Sequence, residues 1–280
     1  MEAAASLRRV PISWMQLHHP SIPCPSLVFE GLKVSGSLEV CCGEMYYRLG
    51  MYEEVRRIGE KLRNYYSRFD VERIVFICPA CLNMFENVYP EGFGIYFNFE
   101  KVSLWRWLLE HKNEFDFKPL GVSVAMHDSC HGRMLGESFQ REVREVLRLC
   151  GVQVEESVEA LNLGYCCGIG AATVRLSLLD IVKTGVKALR AARKARASEL
   201  ATYCGGCLLT LSAIKLLTPI RLPVHHALEY VIASMGGNVP SKHSRQAAKM
   251  VYGLLLNVTP KYLSRKRFKV AENLTGIVLV

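Results

Sequence analysis

Tyr165-Cys166-Cys167-Gly168, with 36 residues between the cysteine pair and Cys204-Gly205-Gly206-Cys207, decides how this chain is read, because the first half carries the same pattern. Cys41-Cys42-Gly43 stands 125 positions before Cys166-Cys167-Gly168, and Cys78-Pro79-Ala80-Cys81 stands 126 before Cys204-Gly205-Gly206-Cys207. In that half 35 residues separate the pair from the C-x-x-C. Two adjacent cysteine pairs, each followed by a C-x-x-C at nearly one spacing, are the mark of an internal repeat. The chain therefore reads as two homologous halves with a seam near Phe115 to Gly121.

The segments between the cysteines repeat as well. Tyr52 to Tyr66 places Val55, Ile58 and Leu62 at helical spacing with charges between them. Arg73 to Ile77 is a short apolar run ending at Cys78 and predicts a buried strand. Phe85 to Tyr89 continues a helix after the C-x-x-C. In the second half Val122 to Met126 predicts a strand running into His127 and Cys130. Glu137 to Leu149 predicts a helix, and Ser177 to Arg196 another, with Leu178, Ile181, Val182, Val186 and Leu189 as its apolar stripe. Leu200 to Tyr203 leads as a strand into Cys204, and Leu208 to Leu217 follows as a helix. Alternating strands and helices predict an α/β fold: two tandem homologous cysteine-rich domains with largely parallel sheets. Every cysteine cluster then sits where a strand ends and a helix begins, the edge at which open α/β sheets bind ligands. The expected division is 1–117, 118–235 and a basic helical C-terminal extension, 236–280.

Length and composition agree. A chain of 280 residues predicts one large domain or two ordinary ones. Half of it is hydrophobic and 22% charged, which argues against disorder. Met1 to Pro20 has no signal-peptide apolar core, and no run reaches the length of a membrane-spanning helix. A cytoplasmic chain is expected, where thiols stay reduced and clustered cysteines point to metal or redox chemistry.

The chain has eleven cysteines. The second half supplies Cys130, Cys166, Cys167, Cys204 and Cys207. The first supplies Cys41, Cys42, Cys78 and Cys81, with Cys24 upstream. Cys150, near the end of an apolar helix, reads as a packing thiol. A structural zinc takes four ligands, commonly from two C-x-x-C pairs, and five thiols are one too many. A disulfide relay would use a C-x-x-C alone and leave the other cysteines unexplained. An iron–sulfur cluster uses several thiolates around several irons and fits best. Buried core thiols explain single cysteines, but poorly explain a duplicated nine-cysteine pattern.

These residues resemble the cysteine-rich, or CCG, domain that occurs twice in the cysteine-rich subunit of heterodisulfide reductase. It also occurs in iron–sulfur subunits of glycolate oxidase and anaerobic glycerol-3-phosphate dehydrogenase. His127-Asp128-Ser129-Cys130-His131 is similar to the family's H-D-P-C-H, and Cys166-Cys167-Gly168-Ile169-Gly170 to its C-C-G-x-G. Pro223 to Glu229 looks like its late histidine-rich strand and helix. The resemblance covers roughly Val34 to Met235. It implies a non-cubane 4Fe–4S cluster on Cys130, Cys166, Cys167, Cys204 and Cys207, with His127 and His131 beside it. It implies a second 4Fe–4S cluster, or an empty remnant, on Cys41, Cys42, Cys78 and Cys81. The activity implied is disulfide reduction or electron transfer as one subunit of an oxidoreductase, either heterodisulfide reductase-like or linked to a flavin dehydrogenase of 2-hydroxyacids or glycerol 3-phosphate. A non-catalytic docking module holding zinc or a structural cluster is the reading from another class.

One departure stands out. Cys130 precedes Cys166 by 35 residues, but no cysteine precedes Cys41 at a similar distance; Cys24 is 16 residues ahead, flanked by Pro23 and Pro25. The segment before Val34 also lacks the family's opening strand and Gly-Cys turn, so the start of the first half reads as diverged or truncated.

Among other residues, His127, Asp128 and His131 tune the cluster or deliver protons, or else form a helix cap at Asp128 or Ser129 with structural histidines. Glu44 caps its loop or relays protons. His225 and His226 read as fold features. Lys183, Lys187, Arg190, Arg193, Lys194 and Arg196 form a solvated or partner-docking helix face. Gly236 to Ala271 carries eight Lys and Arg and no Asp or Glu, leaving the rest of the chain near +1 of the total +9. With Met250, Val251, Leu254, Leu255 and Val258 between the charges, it is expected to lie on an anionic membrane surface, to dock a partner, or to pack on the second half. No nucleic-acid motif accompanies it. The sequence holds no ferredoxin cysteine run and no G-x-G-x-x-G, so a ferredoxin-like iron–sulfur subunit and a flavoprotein subunit are the expected partners.

Overall fold

The computed structural model describes residues 12–13, 34–35, 41–69, 72–156, 164–170, 178–238 and 243–257. Two four-stranded parallel sheets organise them. The first contains β1 (Ile12–Ser13), β2 (Val34–Ser35), β3 (Arg73–Phe76) and β4 (Glu100–Ser103), with α1 (Glu44–Arg48), α2 (Tyr52–Tyr66), α3 (Pro79–Asn83) and α4 (Leu104–Glu110) in the same half. The second contains β5 (Ser123–His127), β6 (Gln153–Glu155), β7 (Glu199–Thr202) and β8 (Val224–His226). Its helices are α5 (Cys130–Met134), α6 (Glu137–Leu149), α7 (Leu178–Lys194), α8 (Gly205–Leu216) and α9 (Ala227–Ser234), followed by α10 (His243–Asn257).

Both sheets run second, first, third, fourth strand across their width: β2-β1-β3-β4 and β6-β5-β7-β8. The repeat in the sequence is therefore a repeat of topology. In this strand order the chain reverses its winding between the first and third strands, which opens a crevice at their carboxyl ends. The cysteine loops leave from that edge.

The opening strand that the sequence was expected to lack is present. β1 lies in the middle of the first sheet, with Ile12 opposite Val34 on one side and Val75 on the other. A two-residue strand beside Pro11 is too short to carry a period-2 signal, which is why the sequence hides it. Counted from the strand, the place of Cys130 falls at Gln16; that position and Cys24 lie outside the described residues.

Helix α2 begins and ends where its apolar spacing predicts, with Val55 and Leu62 buried. After α3 the chain widens into a π-helical stretch, Met84–Gly92, that contains Pro90. Proline has no amide hydrogen and its ring collides with the carbonyl four residues back, so an ordinary α-turn cannot close there. Fully buried Trp105 and Trp107 mark α4, which packs on α6 of the other half.

The helix predicted at 177–196 is α7, with Leu189 fully buried and Lys183, Lys187, Arg190, Arg193 and Lys194 exposed. Helix α10 packs against α8. His243 and Ala247 are buried there, whereas Tyr252, Leu255 and Leu256 stay more than half exposed. Val258 and the rest of the basic tail lie outside the described residues. No described helix is long and apolar enough to cross a membrane.

Candidate metal centre

Cys78, Cys130 and Cys204 are each held where a strand turns into a helix. Cys78 ends the loop after β3 and is the N-cap of α3, with Pro79 as that helix's first residue. Cys204 is the N-cap of α8 after β7. Cys130 opens α5, two residues after β5 ends at His127, and the Ser129 side chain caps that helix by accepting from Gly132 N at 3.0 Å. Gly43 and Gly168, which close the two cysteine pairs, have φ of +71° and +113°, conformations that side chains strain to adopt.

In the second half the thiols touch in a chain. Cys130 bonds Cys166, Cys166 bonds Cys167, Cys167 bonds Cys207, and Cys207 bonds Cys204. The contacts with Cys166 push Cys130 up and Cys167 up to about 12. The bond from Cys207 pulls Cys204 down to about 6. In the first half Cys41 bonds Cys42, Cys81 lies 3.3 Å from Cys42 sulfur to sulfur, and Cys78 bonds Cys81. All nine are free thiols. Every sequence-predicted cysteine thus joins one of two groups. Cys150 stands apart, fully buried beside Ser234 Oγ at 3.3 Å.

The two groups face each other. Burial foremost, then the charges of Cys204 and Cys42, disfavour ionisation of Cys78, so a second-half thiol lies within electrostatic reach of a first-half one. Helix α3 packs on α5. Arg48, at the end of α1, reaches into the other half: its Nη2 donates to Cys130 Sγ at 3.1 Å and lies 2.6 Å from His131 Nε2. Glu44 bonds Arg48 and stands 2.7 Å from the same His131 nitrogen. Asn83 gives its carbonyl to Asn87 at 2.9 Å and turns its amide to His131 Nδ1 at 3.4 Å. His131 Nε2 thus meets both a carboxylate and a guanidinium, while Nδ1 faces the Asn83 amide. Burial raises the Glu44 carboxyl, but His131 and Arg48 outweigh it and hold Glu44 below its ordinary range.

His127 is 6% exposed, and one of its ring nitrogens lies within 4.8 Å of the Cys167 and Cys207 sulfurs, which are as close to each other. Burial pushes its imidazole down to about 4, so it is neutral at neutral pH. Asp128 and Tyr203 tie two cysteine loops together. Arg144 grips Asp128 at 2.9 and 2.7 Å, Tyr203 OH donates to Asp128 at 3.1 Å, and Ser129 N donates to Tyr203 OH at 3.1 Å. His225 and His226 serve the fold: His226 and Glu229 form the capping box of α9, and His225 pairs with Glu229 at 3.0 Å.

The residues suit an iron–sulfur cluster. Soft thiolates select iron–sulfur clusters, zinc or copper(I). Five thiols in mutual contact exceed what one tetrahedral zinc can use. Sequence reasoning missed Arg48, Asn83, Arg144 and Tyr203. Arg48 follows Glu44 by four positions and would be taken for an ordinary helix pair.

A family model for the cysteine-rich domain, CCG, matches residues 28–86 and 124–212, more than half of the chain. The chain belongs to the cysteine-rich domain family. Each matched stretch covers one cysteine set. Three relatives share 28–31% identity. The EtfAB:quinone oxidoreductase of Syntrophomonas wolfei is 31% identical over 54% of this chain and 21% of that protein. An uncharacterized iron-sulfur protein of Methanocaldococcus jannaschii is 28% identical over 60% of this chain and 32% of that protein. The probable iron-sulfur-binding oxidoreductase FadF of Bacillus subtilis is 28% identical over 64% of this chain and 25% of that protein. The chain spans about a fifth to a third of the length of these curated relatives.

Proposed function

We propose that this cysteine-rich domain protein is an iron–sulfur redox subunit that moves electrons within a multi-subunit oxidoreductase. The observation that carries the reading is the contact chain of Cys130, Cys166, Cys167, Cys207 and Cys204, set against a second thiol group across the seam. Those five hold a non-cubane 4Fe–4S cluster, and Cys41, Cys42, Cys78 and Cys81 hold a second 4Fe–4S cluster. When bound, the clusters supply one-electron steps. The chain's own side chains do the rest. The Arg48 guanidinium donates to Cys130 and favours its thiolate. His131 and Glu44, 2.7 Å apart, stand beside that sulfur, where charge arriving at the site can be balanced.

The oxidoreductase names of two relatives favour electron transfer from a flavoprotein subunit toward a quinone or protein carrier. Disulfide reduction, as in heterodisulfide reductase, is the second reading, favoured by two facing thiol groups with Arg48, Glu44 and His131 between them. A ferredoxin-like subunit completes the set of partners. The exposed Tyr252, Leu255 and Leu256 of α10, with Arg245 and Lys249, suit contact with the cytoplasmic face of an anionic membrane.

Anaerobic purification with iron, acid-labile sulfide and zinc assays, and EPR after oxidation, tests the site. Stoichiometric iron and sulfide are expected, with Cys167→Ser losing most of the second-half signal. Zinc without sulfide would end the reading.

A further inference from the structure

We propose that His127 donates a hydrogen bond from Nε2 to a sulfur of the cluster held by the five second-half cysteines, and thereby raises that cluster's reduction potential. This rests on the redox reading above. His127 closes β5, the first strand of its sheet, and lies in register with Thr202 just before Cys204. The strand therefore aims its last side chain at the crevice from which the cysteine loops depart. The imidazole is buried, and Nε2 has no hydrogen-bond partner. One of its ring nitrogens lies within 4.8 Å of the Cys167 and Cys207 sulfurs, and Nε2 bonds neither thiol. The imidazole thus borders the space beside those two sulfurs, where a ligand shared by both thiolates would sit. Left unpaired, such a buried polar atom is a cost to the fold.

The partner in that space is a sulfur rather than an iron. Five thiolates already provide more than one protein ligand for each of four irons. What an imidazole can still add is its N–H, and sulfurs of a cluster are the acceptors there. A hydrogen bond to a cluster sulfur stabilises the reduced, more negative state, so the potential rises. The first half has no imidazole at this place. Ser13, opposite Phe76, takes the register position that His127 holds opposite Thr202. Among the described residues the donor belongs to the second site, which makes the two sites unequal electron acceptors.

The test uses the full chain, loaded anaerobically, grown with 15N-histidine and examined by pulsed EPR and by redox titration. A weak histidine nitrogen coupling and an exchangeable proton coupling are expected. Both should vanish in His127→Leu and persist in His131→Gln. The midpoint potential should fall in His127→Leu and return part of the way in His127→Gln, which restores a donor. The inference is overturned if His127→Leu keeps full iron and sulfide with unchanged coupling and potential. A strong coupling, marking an iron–nitrogen bond, overturns it as well. Should the leucine variant not load, the labelled unmutated protein decides, because absence of any histidine coupling is itself a refutation. Absence of iron and sulfide from the unmutated protein would instead remove the redox reading, a different failure.

Discussion

Replacing Asp128 by Ala isolates what holds two cysteine loops together. The Asp128 and Arg144 side chains are 1% and 4% exposed and form a two-pronged ion pair. Removing one member of a buried pair costs about 3–5 kcal/mol, because the other charge stays buried without compensation. Arg144 keeps Glu156, whose side chain is 42% exposed, so the lower end, about 3 kcal/mol, applies. The Tyr203 hydroxyl also loses its acceptor, which adds about 1 kcal/mol. A total near 4 kcal/mol lowers the thermal midpoint by about 10 °C in a chain of this size. Asp128→Ala with Arg144→Met removes the charge as well as its partner, and an apolar replacement of a buried pair is often close to neutral. The double variant should therefore be more stable than the sum of the single losses by about 2 kcal/mol. Urea unfolding followed by circular dichroism, with calorimetry on anaerobic protein, measures all three variants. A single loss below about 1 kcal/mol, or strict additivity in the cycle, refutes the argument.

Three further outcomes follow from the geometry. A Cβ on Gly168 would stand 2.5 Å from the Ile181 backbone oxygen at a φ of +113°, so Gly168→Ala should cost about 3 kcal/mol. Gly170→Ala meets the flexible tip of Arg48 and, at 3.4 Å, the Cys166 sulfur rather than backbone, so urea midpoints should show it as milder than Gly168→Ala. His226 is neutral in the fold, its pKa pushed to about 4 by burial despite nearby Glu229, with His243 adding to the depression. The unfolded chain takes up that proton near pH 6.5, so stability is full above this pH and declines as pH falls toward 4, by up to about 1.4 kcal/mol per unit. Asn also caps helices, so His226→Asn should flatten the pH dependence of the urea midpoint between pH 7 and 5, and parallel curves would contradict the assignment. Finally, Leu255→Glu with Leu256→Glu should weaken sedimentation with phosphatidylserine vesicles several-fold; equal binding would remove the membrane role of α10.

Most of the architecture was legible because the cysteine repeat fixed where strands must end. Once Cys78 and Cys204 were placed after apolar runs, β3, β7 and the helices behind them followed, and α2 and α6 matched their apolar spacing residue for residue. β4 and α4 were missed. Glu100 to Ser103 does not alternate cleanly, and Leu104 to Glu110 is too short for its buried tryptophans to betray a helix. The thiols of the candidate site were all named from the sequence, because cysteine declares its chemistry. Their grouping across the seam was not legible. The reach of Arg48 to Cys130 spans 82 positions, and no periodic pattern links them. Asp128 read as a helix cap or a cluster-tuning neighbour of the histidines, and its partner Arg144, 16 positions on, drew no reading. Pairings made by tertiary packing leave no local signature.

The second glycine of Cys166-Cys167-Gly168-Ile169-Gly170 has a consequence for how this gene could be divided. Gly170 leaves room for an arginine that grows from the opposite half, since a methyl there would come within 2.5 Å of Arg48 Nη1. The motif of one repeat is thus shaped by a side chain of the other. Cutting the chain between Phe115 and Gly121 would yield two pieces that each carry half of a lock. Neither piece would be self-sufficient, and their co-expression would behave as an obligate heterodimer.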